Sequence, residues 1–163
     1  MQRRSLLRFS LAAGASLALA GCGFQLRGLG SDALPFAELD LAGPDDAFTR
    51  LVRERLTASG VAVGDAAPLR LNLGRETFHE QRLSVLNSGY QEYDMTLNVS
   101  YSVQRSADDA YRLAEQQLEV QERFSISSDN LLAADDRRAE VRERLRDTAV
   151  EQLFHRLHVL GDA

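Results

Sequence analysis

Apolar and polar residues alternate along several stretches of this chain, as they do in strands that bury one face. The clearest run covers residues 95–103, where every second residue is apolar and the others are Thr, Asn or Ser. Similar patterns predict strands over 36–41, 69–73 and 111–126, the last with a β-bulge near 114–116. The face opposite the apolar residues is polar enough to meet water and small enough to lie flat against a partner.

Two other stretches repeat their apolar residues every three to four positions, which is typical of amphipathic helices. The first runs from Phe48 to Gly60, and Asp45 or Asp46 is placed to cap its N-terminus. The second opens near Ser128-Asp129 and carries one apolar stripe: Val141, Leu145, Ala149, Leu153 and Leu157. Its other side is dense with Arg, Asp and Glu, which favours a solvated surface over the alternative of a phosphate-binding edge.

These elements follow one another in the order βαβββα. Residues 77–85 continue the strand at 69–73 in extended form, and the Asn-Ser-Gly sequence at 87–89 predicts a turn. The opening strand–helix–strand unit calls for a right-handed crossover between parallel strands. Each amphipathic helix needs cover for its apolar side. We therefore expect an α+β two-layer sandwich, in which a four-stranded mixed sheet carries both helices on one face.

The N-terminus has the pattern of an export signal. Three Arg within the first eight residues precede an apolar run over 11–20, which is too short and too Ala-rich for a membrane span. The run ends in Leu19-Ala20-Gly21-Cys22, which matches the lipobox of bacterial lipoproteins. The general secretory route is favoured over the twin-arginine route, because the pattern around Arg3-Arg4 is incomplete.

The lipobox predicts how the chain is divided. Residues 1–21 are the signal peptide to be removed, residues 22–34 an acylated tether, and residues 35–163 a single domain. Cys22 is the expected attachment site of S-diacylglycerol and N-palmitoyl groups, and several acyl chains on one residue anchor a protein stably. Gly23 stands where lipoproteins kept at the inner membrane usually have Asp, so we expect the outer membrane. The alternative is an ordinary secreted protein with an accidental Cys.

Composition narrows the class of partner. The chain has one Cys, no Lys, 19 Arg and 24 acidic residues, so without its signal it holds 16 Arg and a net charge of about −8. An acidic surface argues against a nucleic-acid partner. His155 and His158 are spaced as two metal ligands could be, but a position at a helix C-terminus explains them better. No catalytic motif is visible, so we expect no enzyme, no cofactor and no metal.

Four stretches together resemble the LPS-assembly lipoprotein family LptE. The first is Gly21 to Arg27, in which an aromatic residue, a polar residue and Leu-Arg follow Gly-Cys-Gly. The others are the helix 48–60 ending in Ser-Gly-Val, the strand 92–99 and the end of the last helix at 149–153. No single motif is decisive, but their order and spacing extend over essentially the whole mature chain.

The resemblance implies a binding and assembly role. Members of the family plug the large β-barrel LptD one to one, help it assemble, and bind lipopolysaccharide on its way to the outer leaflet. We therefore expect an outer-membrane lipoprotein of a Gram-negative bacterium, on the periplasmic side and in the barrel lumen. The alternative function is a free periplasmic lipid carrier or chaperone lipoprotein, with a cavity between sheet and helices.

The basic residues that the family uses for lipopolysaccharide do not carry over directly. An ungapped alignment places them at Leu86 and Ala134, which are uncharged. Nearby cations could substitute as phosphate contacts, and the candidates are Arg82, Arg137 and Arg138.

Overall fold

The computed structural model of the protein describes residues 34–85, 90–127 and 131–161. In chain order the described elements are β1 (Glu38–Ala42), α1 (Ala47–Ala58), β2 (Ala62–Val63), β3 (Leu69–Leu73), β4 (Thr77–Val85), β5 (Tyr90–Arg105), β6 (Tyr111–Ser127) and α2 (Leu131–Gly161). The α+β class and the two amphipathic helices are confirmed. The predicted number of strands is wrong, because the sheet has six strands and not four.

Two local features account for the difference in strand number. β2 has two residues, too few for an alternating pattern to appear in the sequence, and it pairs in parallel with β1. The extended run that follows is divided between Gly74 and Thr77. Gly74 N–H donates to the Ser100 carbonyl at 2.8 Å, and Thr77 lies opposite Asn98. Three residues of the run 69–85 therefore correspond to two residues of β5, so this run has one extra residue. That extra residue is a β-bulge, and it separates β3 from β4.

The sheet is centred on the long strand β5. β6 pairs with β5 from Tyr90 to Gln104, so β3 and β4 follow each other along the other edge of β5. β1 pairs in parallel with β3, which confirms the expected parallel crossover. The register between β5 and β6 slips between Gln116 and Leu113, where the sequence predicts a bulge.

The apolar residues of the strands face one way and form a single core with the helices. Leu71, Leu97, Val99 and Leu118 are each no more than 1% exposed. All five residues of the predicted stripe on α2 are equally buried, as are Phe48, Val52 and Leu56 of α1. Both helices therefore cover the same face of the sheet. The predicted turn at 87–89 and the first residues of the last helix, Ser128-Asp129, lie outside the described residues.

One carboxylate ties the first helix to the bulge. Asp46 caps α1, because its Oδ1 accepts from Thr49 N–H at 2.9 Å. Its Oδ2 accepts from Glu76 N–H at 3.2 Å, in the segment between β3 and β4. The chain is thus held where it changes register, and β4 can continue beyond the end of β3.

Candidate functional site

Arginines on one side of α2 contact the neighbouring strand β4. Arg138 Nε donates to both oxygens of Glu80, at 3.0 and 3.2 Å. Arg146 makes a two-point contact with Glu76 at 2.7 and 3.0 Å, and its guanidinium lies 5.1 Å from the centroid of the Phe78 ring. Four residues of helix rise about 6 Å and two residues of strand about 6.6 Å. Every fourth residue of α2 can therefore contact every second residue of this extended segment, and we call this series of contacts the ladder.

Arg82 is the next residue of β4 on this side, and it lies at the end of the ladder. The four-residue spacing of the helix brings Ala134 to the corresponding position, and Ala134 is 4% exposed and carries no charge. Arg82 is exposed, and within the described part of the chain it forms no hydrogen bond or ion pair. It is therefore a cation of this ladder that remains available to a ligand, as is Arg142, which is exposed and lies over Phe78 without an ion pair to a described residue.

Tyr93 connects Arg82 with Arg138. Tyr93 lies directly opposite Arg82 in the pairing of β5 with β4, so their side chains share the helix-covered face. The Arg138 guanidinium lies 5.6 Å from the centroid of the Tyr93 ring, and that ring stacks on Phe124 at 5.7 Å. The hydrogen bond to Glu80 raises the pKa of Arg138 above its ordinary value. Arg138 thus lies over the Tyr93 ring, and Arg82 is the cross-strand neighbour of the same residue. We call Arg82, Tyr93, Arg138 and Glu80 the arginine site.

Arg137 belongs to the opposite side of α2. Its Nη1 donates to Glu140 at 2.7 Å, and Glu140 also accepts from Arg144. Arg144 in turn contacts Glu122 on β6. The hydrogen bond from Arg137 holds the pKa of Glu140 below its ordinary value. Of the three cations nominated from the sequence, the structure brings Arg82 and Arg138 together and leaves Arg137 apart.

The side of the sheet away from the helices is a second candidate surface. Both helices lie on the other side, and no described element packs on this one. The pairing of β5 with β6 puts the exposed rings of Tyr90 and Tyr111 at the ends of this side. Between them its outward side chains on β3 to β6 are polar: Arg70, Asn72, Thr77, His79, Gln81, Asp94, Thr96, Asn98, Ser100, Ser102, Gln104, Gln117, Glu119, Gln121 and Arg123. We call this set the open face. It agrees with the small polar surface expected from the alternating pattern.

Most charges on the open face are paired between neighbouring strands, and Glu119 is the exception among its described residues. Arg123 contacts Asp94 at 2.9 Å, and this hydrogen bond holds the pKa of Asp94 below its ordinary value despite the opposing effect of burial. Arg70 contacts Asp40 in the same way, across β3 and β1. Asn72 donates to Gln104 at 2.8 Å. These charged pairs are therefore satisfied within the sheet and do not need a partner in order to be stable.

Two members of the arginine site were not nominated from the sequence. The alternation in β4 puts Phe78, Glu80 and Arg82 on one face, but the polar character of this run hides which face is covered. A carboxylate that accepts from a helix 58 residues away leaves no local sequence signal. Tyr93 lies within the strand 92–99, and no local pattern in the sequence assigns it a role.

Other nominated positions are placed as follows. Cys22 and Leu86 lie outside the described residues, and Ala134 packs in the core. His158 Nε2 is buried without a hydrogen-bond partner. Within 34–85, 90–127 and 131–161, no cluster of three or more His, Cys, Asp or Glu could hold a metal ion. No helix in these ranges has the length and apolar character needed to cross a membrane.

Comparisons of the fold support a relationship to bacterial lipoproteins. A lipoprotein B of Nitrosomonas europaea superimposes with a TM-score of 0.70 at 16% identity, over 86% of this chain and 94% of that one. The rare lipoprotein B of Shewanella oneidensis gives a TM-score of 0.57 at 25% identity, over 77% of this chain and 99% of that one. The first likeness, at such low identity, concerns the fold alone.

Comparisons of the sequence identify the family. The family model for LptE, lipopolysaccharide-assembly, matches residues 36–157. The LPS-assembly lipoprotein LptE of Pectobacterium atrosepticum is 35% identical, over 91% of this chain and 84% of its own length. The protein of the same name from Yersinia enterocolitica is 30% identical, over 91% of this chain and 74% of its own. The chain therefore belongs to the LPS-assembly lipoprotein family LptE.

Proposed function

We propose that this protein is an outer-membrane lipoprotein that plugs an LptD-type β-barrel one to one and helps it assemble. In this role it takes part in the delivery of lipopolysaccharide to the outer leaflet. Membership of a family named for LPS assembly supports the general role. The protein acts by binding and not by catalysis, and it requires neither a cofactor nor a metal.

The open face is the main observation that supports the proposed role as a plug of the barrel. The interior of a large membrane barrel is polar, so a protein that enters it needs a broad surface of hydrogen-bonding side chains. The open face offers Thr, Asn, Ser and Gln on β3, β4, β5 and β6, and most of its charges are neutralised in pairs such as Asp94 with Arg123. Such a surface can exchange water for polar side chains of a barrel wall and buries little unpaired charge when it does so.

The arginine site supports a contact with lipopolysaccharide. Arg82 and Arg138 present two guanidinium groups, which bind phosphate through paired hydrogen bonds. The mature chain is acidic overall, so attraction to phosphate has to be local. Arg137 is a weaker candidate, because it lies on the other side of α2. Replacement of Arg82 should therefore weaken binding more than replacement of Arg137, and binding to both variants should be measured at low and high salt.

Cys22 is proposed as the lipid attachment site. The change Cys22→Ser should leave the domain folded, because the described core contains no residue before Leu34. It should release the protein from the membrane when the barrel is absent. Membrane fractionation in a strain with depleted barrel tests this, and a Cys22→Ser protein that stays with the membrane there would contradict the anchor.

The alternative function, a free lipid carrier, requires an apolar cavity. A pocket with a volume of about 130 Å³ lies beside Phe36, Leu69, Val103, Leu157 and Leu160. A cavity of about 150 Å³ takes up one benzene molecule. Several acyl chains need far more room, so the pocket does not favour the carrier.

Copurification tests the proposed function. A tagged form of the full lipoprotein is isolated from detergent-solubilised outer membrane of its own host, and the bound proteins are quantified. We expect one large β-barrel in equal amount that remains after a high-salt wash. A lipoprotein recovered alone and monomeric would contradict the plug and favour the carrier.

A further inference from the structure

The arginine site contains its own anion. Glu80 accepts two hydrogen bonds from Arg138 Nε, at 3.0 and 3.2 Å, and both side chains keep about a quarter of their surface exposed. Asp135 also contacts Arg138, at 3.3 Å, but is 84% exposed and therefore well screened by water. A ligand phosphate that uses Arg138 must compete with the carboxylate of Glu80.

The second ion pair of the ladder, between Arg146 and Glu76, is less exposed than the pair between Arg138 and Glu80. Arg146 and Glu76 are 19% and 10% exposed, and Arg146 also lies over Phe78. Glu76 is the acid of the ladder furthest from Arg82, whereas Glu80 is two residues from Arg82 on the same face of β4. The two glutamates thus make similar ion pairs, but Glu80 is the one next to Arg82.

Charge decides which ligands can displace Glu80. Arg82, Arg138 and Glu80 together carry a charge of +1, and a phosphate diester of charge −1 offers Arg138 no more charge than Glu80 already does. A phosphate monoester carries about −1.5 to −2 at pH 7 and has three acceptor oxygens. It can therefore bridge both guanidinium groups while the Glu80 carboxylate turns toward water.

We propose that Glu80 determines specificity, favouring lipids with phosphate monoesters over phosphate diesters at the arginine site. This inference rests on the proposed function, in which Arg82 and Arg138 bind the phosphates of a lipid. Most anionic phospholipids of a membrane are diesters. A carboxylate inside the site would thus keep it from being filled by the surrounding lipid, at the expense of some affinity for the correct ligand.

A matched pair of lipids tests the proposal. The full-length lipoprotein in neutral detergent is titrated with dioctanoyl phosphatidic acid, a monoester, and with dioctanoyl phosphatidylglycerol, a diester with the same chains. We expect Glu80→Gln to bind the diester more tightly and to lower the monoester-to-diester selectivity about tenfold. Glu80→Asp keeps the charge and should retain most of the selectivity. Glu76→Gln is the matched control, because it removes a similar ion pair away from Arg82 and should leave the selectivity unchanged.

The possible results separate the inference from the function on which it rests. If Arg82→Gln weakens monoester binding but Glu80→Gln keeps the wild-type selectivity, Glu80 has no role in specificity and the lipid site stands. If Arg82→Gln binds as the wild type does, the lipid site itself is wrong. If Glu76→Gln changes the selectivity as much as Glu80→Gln, the effect comes from loosening the helix, and the proposal is overturned.

Discussion

The two faces of the sheet are built from the same strands, yet they are stabilised in different ways. On β5, Leu97 points under the helices and is fully buried, while its neighbours Thr96 and Asn98 point to the open face and are half-buried. On the covered face, ion pairs join the sheet to a helix, as Glu76 does with Arg146. On the open face, they join one strand to the next, as Asp94 does with Arg123.

This difference separates stability from interaction. Apart from the arginine site at its edge, the covered face is completed within the chain, so its residues are expected to determine folding. The open face is satisfied laterally and has no cover in the described part of the chain, so its residues are free to determine association. A domain that is stabilised mainly by contacts on one side of its sheet can use the other side to bind a partner.

The largest expected effect comes from the covered face. Leu97→Ala removes a fully buried side chain and leaves a cavity, so the free energy of unfolding should fall by about 2–5 kcal/mol. Thr96→Ala, one residue away on the open face, should change it by no more than about 0.5 kcal/mol. Denaturant unfolding of both variants checks the comparison, and equal losses would mean that the open face also contributes to the core.

A smaller effect is expected where the two strand segments meet. A Cβ atom on Gly74 would collide with Ser100 Oγ on the open face. Gly74→Ala should therefore lower the free energy of unfolding by about 1 kcal/mol, since the Ser100 hydroxyl can rotate away in part. The double variant Gly74→Ala, Ser100→Ala removes the obstructing oxygen and should recover most of the loss. A double variant as unstable as the single one would show that the contact is not the cause.

The smallest expected effect is a loss of stability at low pH. Because the pKa of Asp94 is held below its ordinary value, mainly by the hydrogen bond from Arg123, this pair stabilises the fold above the ordinary carboxyl pKa. The contribution is lost as the pH falls through the lowered value. A carboxyl NMR titration should place the Asp94 midpoint below that of the same group in Arg123→Gln. The same midpoint in both proteins would contradict the pairing.

The helices and the principal strands were predictable because each shows its own period. The stripe on α2, the alternation around Leu97 and the bulge before Leu118 all appear in the sequence as local patterns. β2 could not be predicted, since two residues do not define an alternation. The division of the extended run depends on Asp46 reaching the Glu76 backbone, a contact between distant residues.

The candidate site was predictable only in part, and for the same reason. Arg82 and Arg138 stand out as cations, but their common neighbour Tyr93 follows from strand register and not from spacing. Arg137 and Arg138 are adjacent in sequence and about 100° apart around α2. The sequence does not show which strand each side of the helix contacts. The Glu80 carboxylate emerges only when the helix is packed on β4.

Photo-crosslinking in living cells tests the division between the faces most directly. A photoreactive amino acid is placed at Asn98 or Gln121 on the open face, and at the exposed positions Glu143 or Thr148 on α2. Our account predicts strong crosslinks to the β-barrel from the open-face positions and few from the helix. Crosslinks from the helix positions alone would contradict it, because the barrel would then contact the side that the chain already covers.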